Sequence, residues 1–261
     1  LFGAAFRDNK YGQGLCTLKL KNVRTKGTEE NWPISNNNSG SGFLGYGLDK
    51  TKDELHRKGI NQGQFTVCLM LKDGVSTEQL QQLKNTLAVW GLLGGLGSRS
   101  RRGFGSVAIR QLDGQDYHFK TIEQYSAAIK KLLNSIVSAP EMPIFTAINE
   151  ALQIAQAGKG NDARRLMDSV GSQYKTARKE AGPGMAKLPF GLPLAGDRGS
   201  SDETNRRSSP LFMHIHPIEK QFVALVSFIP AYFHPEYPRG EQLHFYQAVQ
   251  DYMQAMEKVY P

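Results

Sequence analysis

Residues 91–112 read GLLGGLGSRSRRGFGSVAIRQL, a stretch that holds six glycines and, at 99, 101 and 102, three arginines. Glycine loses more backbone freedom on folding than any other residue, so such a cluster weakens regular structure and needs a local reason. Two arrangements remain: a loop that bends sharply, or one whose backbone approaches a bulky anionic partner. A dinucleotide site needs G-x-G-x-x-G directly after a strand. Gly95 and Gly97 open that pattern, but its third glycine position is Ser100 and a helical run precedes it. A P-loop needs a Gly-Lys pair that the stretch lacks. What it offers instead is donors: backbone N–H groups, the forks of Arg99, Arg101 and Arg102, and the hydroxyls of Ser98 and Ser100, with Phe104 beside them. A sugar-phosphate chain accepts from such groups. The competing reading is a tight helix-to-strand turn with solvated arginines.

The chain of 261 residues is long enough for two modest domains. A net charge of +8 and a pI near 9.4 favour phosphate-rich polymers or anionic membrane surfaces. No apolar run approaches the ~20 residues of a membrane span; FVALVSFIPAYF (222–233) is short and broken by Pro230. No membrane association is therefore expected. Two cysteines, Cys16 and Cys68, rule out a disulfide framework or a four-cysteine zinc site, and reduced thiols fit a cytoplasmic protein. The two can pair only if their strands are neighbours. The first residues, LFGAAF, read as though they begin inside an element, so a preceding segment is expected.

Residues 14–22 alternate as a strand, a polar excursion covers 23–63, and QFTVCLML (64–71) is the next strand. A helix over 76–90 follows, with Ser76 and Gln79 as a capping box, Val75 stapled onto Leu80, and Leu80, Leu83, Leu87 and Trp90 on one face. After the glycine loop comes a strand, SVAIRQL (106–112). This is the order of a ferredoxin-like βαββαβ unit without its initial strand and helix. From 121 to 181 the chain reads as helical, including FTAINEALQIA (145–155), and a Gly/Pro-rich break spans 182–205. PLFMHIH and FVALVSFI form a hairpin, and a last helix runs over 241–259. The expected class is α+β: a first ferredoxin-like unit over 1–115 with the insertion 23–63, then a helical region and a second unit over 116–261.

The run GGLGSRSRRGFGSV (94–107) resembles the glycine-rich signature of the RAMP superfamily, the repeat-associated subunits of CRISPR effector complexes. LFG at 1–3, followed by Gly12 and Gly14, is similar to that family's second block. RRSSPL (206–211) resembles an element of the head RAMP subunit of type III-B, or Cmr, complexes, which carries two ferredoxin-like (RRM-like) folds. The resemblance implies an RNA-binding, non-catalytic subunit that holds the guide (CRISPR) RNA, with target RNA and other RAMP subunits as further partners and no cofactor. It implies RNA contacts at Gly94, Gly95, Gly97, Ser98, Arg99, Ser100, Arg101, Arg102, Gly103, Phe104, Gly105, Arg206 and Arg207. In backbone-forming relatives a β-hairpin thumb enters the guide–target duplex. The excursion 23–63 occupies the corresponding place, with Trp32, Phe43 and Tyr46 as stacking groups, against the plain alternative of a surface loop.

His214 and His216 point to one face of a strand and could hold a metal, with His118, His234 or His244 as third ligand. No carboxylate accompanies them in sequence, so the expectation is no metal and no catalytic residue. Ser208 and Ser209 lack a nucleophile-elbow pattern, and Asp197, Asp202 and Glu203 read as solvated linker charge. The rival functions are a metal-dependent ribonuclease built on the histidine strand, a backbone-type RAMP subunit of another type III complex, and an RNA-binding protein acting alone.

Overall fold

The computed structural model describes residues 14–30, 39–46, 48, 59–136, 142–144, 146–191, 209–232 and 242–261. These fall into two compact units: residues up to 34 and 47–87 in the first, 35–46 and 88 onward in the second.

In the first unit, β1 (Cys16–Glu30) and β2 (Gly59–Leu71) form an antiparallel ribbon. Cys16, Leu18 and Leu20 stand opposite Leu71, Leu69 and Val67, which gives one apolar face. Cys68 lies opposite Lys19 on the other face, so Cys16 and Cys68 occupy neighbouring strands yet cannot bond, and both are free. The expected excursion over 23–63 is shorter than read, because both strands extend into it. Register shifts at Lys21/Arg24 and Lys26/Glu29 carry the ladder through residues that are polar on both faces, where no hydrophobic alternation marks a strand. The helix α2 (Thr77–Leu93) begins in the first unit and passes into the second after Leu87, and it starts as expected: Ser76 N–H donates to Gln79 Oε1 (3.0 Å), and Gln79 N–H donates to Ser76 Oγ (3.2 Å). It runs three residues beyond the expected end at 90.

The second unit holds a short helix α1 (Gly40–Leu44), a two-residue hairpin β3 (Gln111–Leu112) and β4 (Gln115–Asp116), and α3 (Ile122–Asn134). Then come β5 (Gln153–Gly160), α4 (Ala163–Glu180), β6 (Leu211–Ile218), β7 (Gln221–Phe228), α5 (Gln247–Gln254) and β8 (Glu257–Tyr260). The sheet runs β6-β7-β5-β8 with every neighbour antiparallel. From β5 onward this is β-α-β-β-α-β, the ferredoxin-like arrangement.

Three readings change. The helix read over 145–155 ends instead in β5, where Ile154 and Ala155 are buried between β7 and β8; tertiary pairing overrides local propensity. The last helix divides into a 3-10 turn at Gln242–Tyr246, α5 and β8. The strand read over 106–112 shrinks to Gln111–Leu112, because Ser106 pairs with Gly95 across the glycine loop and Ile109 packs against Gly91 of α2.

The core lies between α3 and the sheet. Tyr125, Ile129 and Leu133 pack with Leu152, Ile154, Val223, Leu225 and Val259, each large side chain contributing roughly 1.5–3 kcal/mol. The helix α1 sits on α4 at close range. A Cβ on Gly40 would lie 1.9 Å from the Asp168 carbonyl oxygen, so only glycine allows the approach. Ser41 fixes it by donating N–H (2.9 Å) and Oγ–H (2.8 Å) to Asp168 Oδ1.

Candidate nucleic-acid interface

The glycine–arginine loop leaves the C-terminus of α2, where Gly94 N–H donates to the Trp90 carbonyl (2.8 Å). Leu96 N–H donates to the Gly105 carbonyl (2.8 Å), and Gly95 bridges Ser106, so the loop closes into a narrow hairpin. Within it, Arg102 N–H donates to the Arg99 carbonyl (2.7 Å) and closes a tight turn in which Arg99 has φ 62°. Gly105, at φ +62°, leaves no room for a side chain: its Cβ would stand 2.0 Å from the Leu96 carbonyl oxygen. Gly97, at φ +80°, faces open space. The loop is anchored to β6. Arg102 bridges Met213, Met213 N–H donates to the Arg101 carbonyl (3.0 Å), and Ser106 Oγ accepts from Ile215 N–H (3.1 Å) while donating to the Gly103 carbonyl (2.8 Å).

These anchors divide the three arginines. Arg101 Nη1 donates to the Ser209 carbonyl (3.0 Å), and its guanidinium lies 4.6 Å above the Phe212 ring. Burial, and then the neighbouring Arg102 cation, lower its pKa from the usual arginine value. Arg102 lies 4.5 Å above the Tyr174 ring, and its Nη1 is buried without a hydrogen-bond partner. Arg99 is exposed, and its Nη2 donates to the Tyr46 carbonyl. Leu96, Gly97, Ser98 and Arg99 form the exposed rim with Gly105; Gly94, Gly95, Ser100 and Phe104 are half-buried and Gly103 is buried. Arg206, Arg207 and Ser208 lie outside the described residues, but Ser209 at the end of RRSSPL meets the first motif through Arg101. Of the aromatic groups in the excursion, Tyr46 is 68% exposed beside Arg99, Phe43 is half-buried 6.0 Å from the Tyr174 ring, and Trp32 lies outside the described residues.

His214 and His216 share a face, as their spacing predicts, and that face is internal. His214 Nδ1 is 2.8 Å from the Gly94 carbonyl, and its Nε2 is 3.1 Å from His216 Nδ1. The His216 ring stacks on Tyr125 at 4.2 Å and 15°. Burial lowers the His214 pKa to about 4 against the opposing pull of the Gly94 carbonyl; burial, then His214, lowers that of His216 to about 3. His118 stands 3.5 Å from Asp116, His244 borders Phe245 in the 3-10 turn, and His234 lies outside the described residues. Among the described residues no three His, Cys, Asp or Glu side chains converge as metal ligands. The carbonyl contacts of Ser209 and Gly94 were beyond sequence reasoning, since each joins residues more than a hundred positions apart.

Comparison with known proteins places this architecture. Residues 13–108 match the family model of the RAMP superfamily, which bears out the resemblance carried by the glycine–arginine run. Over 170 residues the chain is 25% identical to the CRISPR system Cmr subunit Cmr1-1 of Pyrococcus furiosus, covering 58% of this chain and 50% of that protein. The chain thus spans about half the length of that curated relative. The crystal structure of Cmr1 from Pyrococcus furiosus (apo form) matches with a TM-score of 0.60 at 17% identity, over 98% of this chain and 80% of the other. The expected mixed α+β class with antiparallel sheets is the fold they share.

Proposed function

We propose that this chain is a cytoplasmic, RNA-holding subunit of a type III-B CRISPR effector complex, with its glycine loop laid along the sugar-phosphate backbone of the guide RNA. The observation that carries the reading is the closed loop with an exposed rim at 96–99 and a cation, Arg99, at its turn. Exposed glycine backbone lets a phosphodiester come close, and the net charge of +8 favours its approach. The likeness to a Cmr subunit supports other RAMP subunits as neighbours, and in this reading target RNA is a second nucleic-acid partner. No helix among the described residues is long and apolar enough to cross a membrane.

In this reading Gly94, Gly95, Gly97, Ser98, Arg99, Ser100, Gly103, Phe104 and Gly105 shape or line the RNA path. Arg101 and Arg102 brace the loop and add positive potential from behind, and Arg206 and Arg207 supply a second backbone contact. Arg99→Ala should lower the log–log salt slope for single-stranded RNA by about 0.7, one phosphate contact, and leave the fold intact. The triple change of Arg99, Arg101 and Arg102 to Ala should lower it by at least as much, because Arg101 and Arg102 brace the loop that presents Arg99. A folded triple variant with an unchanged slope would remove the loop from the interface.

A subunit that holds backbone and leaves sequence to base pairing needs no catalytic group. The purified chain should cut neither labelled single-stranded RNA nor a guide–target duplex in magnesium or manganese. Cleavage that survives further purification and disappears on changing His214 or His216 would instead establish the ribonuclease. The histidine pair disfavours that outcome, because both nitrogens of His214 are already engaged in the core.

A further inference from the structure

The last carbonyls of a helix have no partners inside it, and a buried carbonyl left bare is costly. Where α2 becomes the glycine loop, two such carbonyls are met by side chains from distant elements. Tyr125, on α3, donates its hydroxyl to the Leu92 carbonyl. His214, on β6, stands 2.8 Å from the Gly94 carbonyl through Nδ1. A carbonyl can only accept, so the proton of a neutral His214 is on Nδ1 and its Nε2 carries the lone pair. That nitrogen is 3.1 Å from His216 Nδ1, which must therefore be the donor. The His216 ring in turn stacks on Tyr125 and closes the circuit. The three side chains are almost wholly excluded from water, so none can exchange its bond for one to solvent.

We infer that His214, His216 and Tyr125 are positioning residues that fix the direction in which the glycine loop leaves α2, and with it the loop's capacity to take a phosphodiester backbone. This rests on the RNA-binding reading of the loop. None of the three faces the exposed rim, so each acts through Leu92 or Gly94.

Two replacements at 214 separate positioning from simple packing. An asparagine amide nitrogen falls near the place of Nδ1, whereas that of glutamine falls near Nε2. His214→Asn can thus donate to Gly94, whereas His214→Gln and His214→Leu leave that carbonyl bare. With a labelled single-stranded RNA of mixed sequence, His214→Gln and His214→Leu should bind about tenfold more weakly than wild type, and His214→Asn should restore the affinity. The backbone amide resonances of residues 94–106 should move in the Gln variant and stay in the Asn variant, a readout that needs no RNA. Nitrogen-15 spectra of wild type at neutral pH should show both rings neutral with the proton on Nδ1.

A His214 proton on Nε2 overturns the inference. So does a folded Leu or Gln variant with wild-type affinity and unmoved loop amides. If the Leu variant does not fold, the Asn–Gln contrast decides. If wild type binds no RNA, the RNA reading fails, and the amide shifts and the tautomers still judge whether the trio sets the loop.

Discussion

Gly105→Ala is expected to destabilise the second unit by about 3 kcal/mol, whereas Gly97→Ala, in the same loop, should cost only about 1 kcal/mol. Both glycines have positive φ, 62° and 80°, so both substitutions carry the left-handed backbone penalty. They differ in what the new methyl meets. At 97 nothing lies within 4 Å. At 105 the methyl would stand 2.0 Å from the Leu96 carbonyl oxygen, and the neighbouring Leu96 N–H makes the 2.8 Å bond to the Gly105 carbonyl that closes the loop. Relief of the clash requires opening that bond, so backbone strain and a lost hydrogen bond add. Denaturant unfolding of the two variants beside wild type measures the difference. Because the same opening displaces the exposed rim, Gly105→Ala should also bind single-stranded RNA more weakly than Gly97→Ala. Equal effects at the two positions would mean that the loop is not closed in this way.

What could be read in the sequence was local. Ser76 and Gln79 are three residues apart, and their reciprocal bonds form as their spacing predicts. The β6–β7 hairpin announces itself as two apolar runs joined by a short turn, and its ladder pairs from Leu211↔Phe228 to Ile218↔Gln221. The glycine cluster marks a loop, although its first member, Gly91, lies inside α2. The division of labour among its arginines was not legible, because Arg101 is decided by Ser209 and Phe212 and Arg102 by Tyr174. The same holds for the histidines. Their common face follows from spacing on a strand, but whether it meets solvent, a metal or the end of α2 depends on where Tyr125 and Gly94 come to lie. β5 was missed because its residues Gln153, Ile154 and Ala155 continue an Ala-rich, helix-permissive run, and only the strands on either side make it a strand.

The stability of the second unit should fall as the pH is lowered from about 6.5 toward 4, and the upper part of that fall precedes the titration of ordinary carboxylates. His214 is enclosed by Gly94 and His216, and His216 by Tyr125, Phe119 and His214; no carboxylate is among these neighbours, and exclusion from water outweighs the pull of the Gly94 carbonyl toward the charged ring. Burial sets the His214 pKa at about 4 and that of His216 at about 3. The sign follows from which state takes up protons first. Below pH 6.5 the unfolded chain protonates His214 and His216 while the folded one does not, so each step toward acid favours unfolding. The contribution is complete above 6.5, declines through the interval, and stops changing below the folded pKa. For His214 alone, about 2.5 pH units correspond to about 3 kcal/mol. His216 shares part of the same window, and the two are coupled, so their effects do not simply add. Unfolding free energies at pH 7, 6, 5 and 4.5 should trace the decline. A double replacement, His214→Asn with His216→Phe, keeps a donor for Gly94 and a ring against Tyr125 but removes both titrating groups, and should flatten the profile over that range. A wild-type profile already flat between 6.5 and 4.5 would mean that the pair is not held neutral against the end of α2.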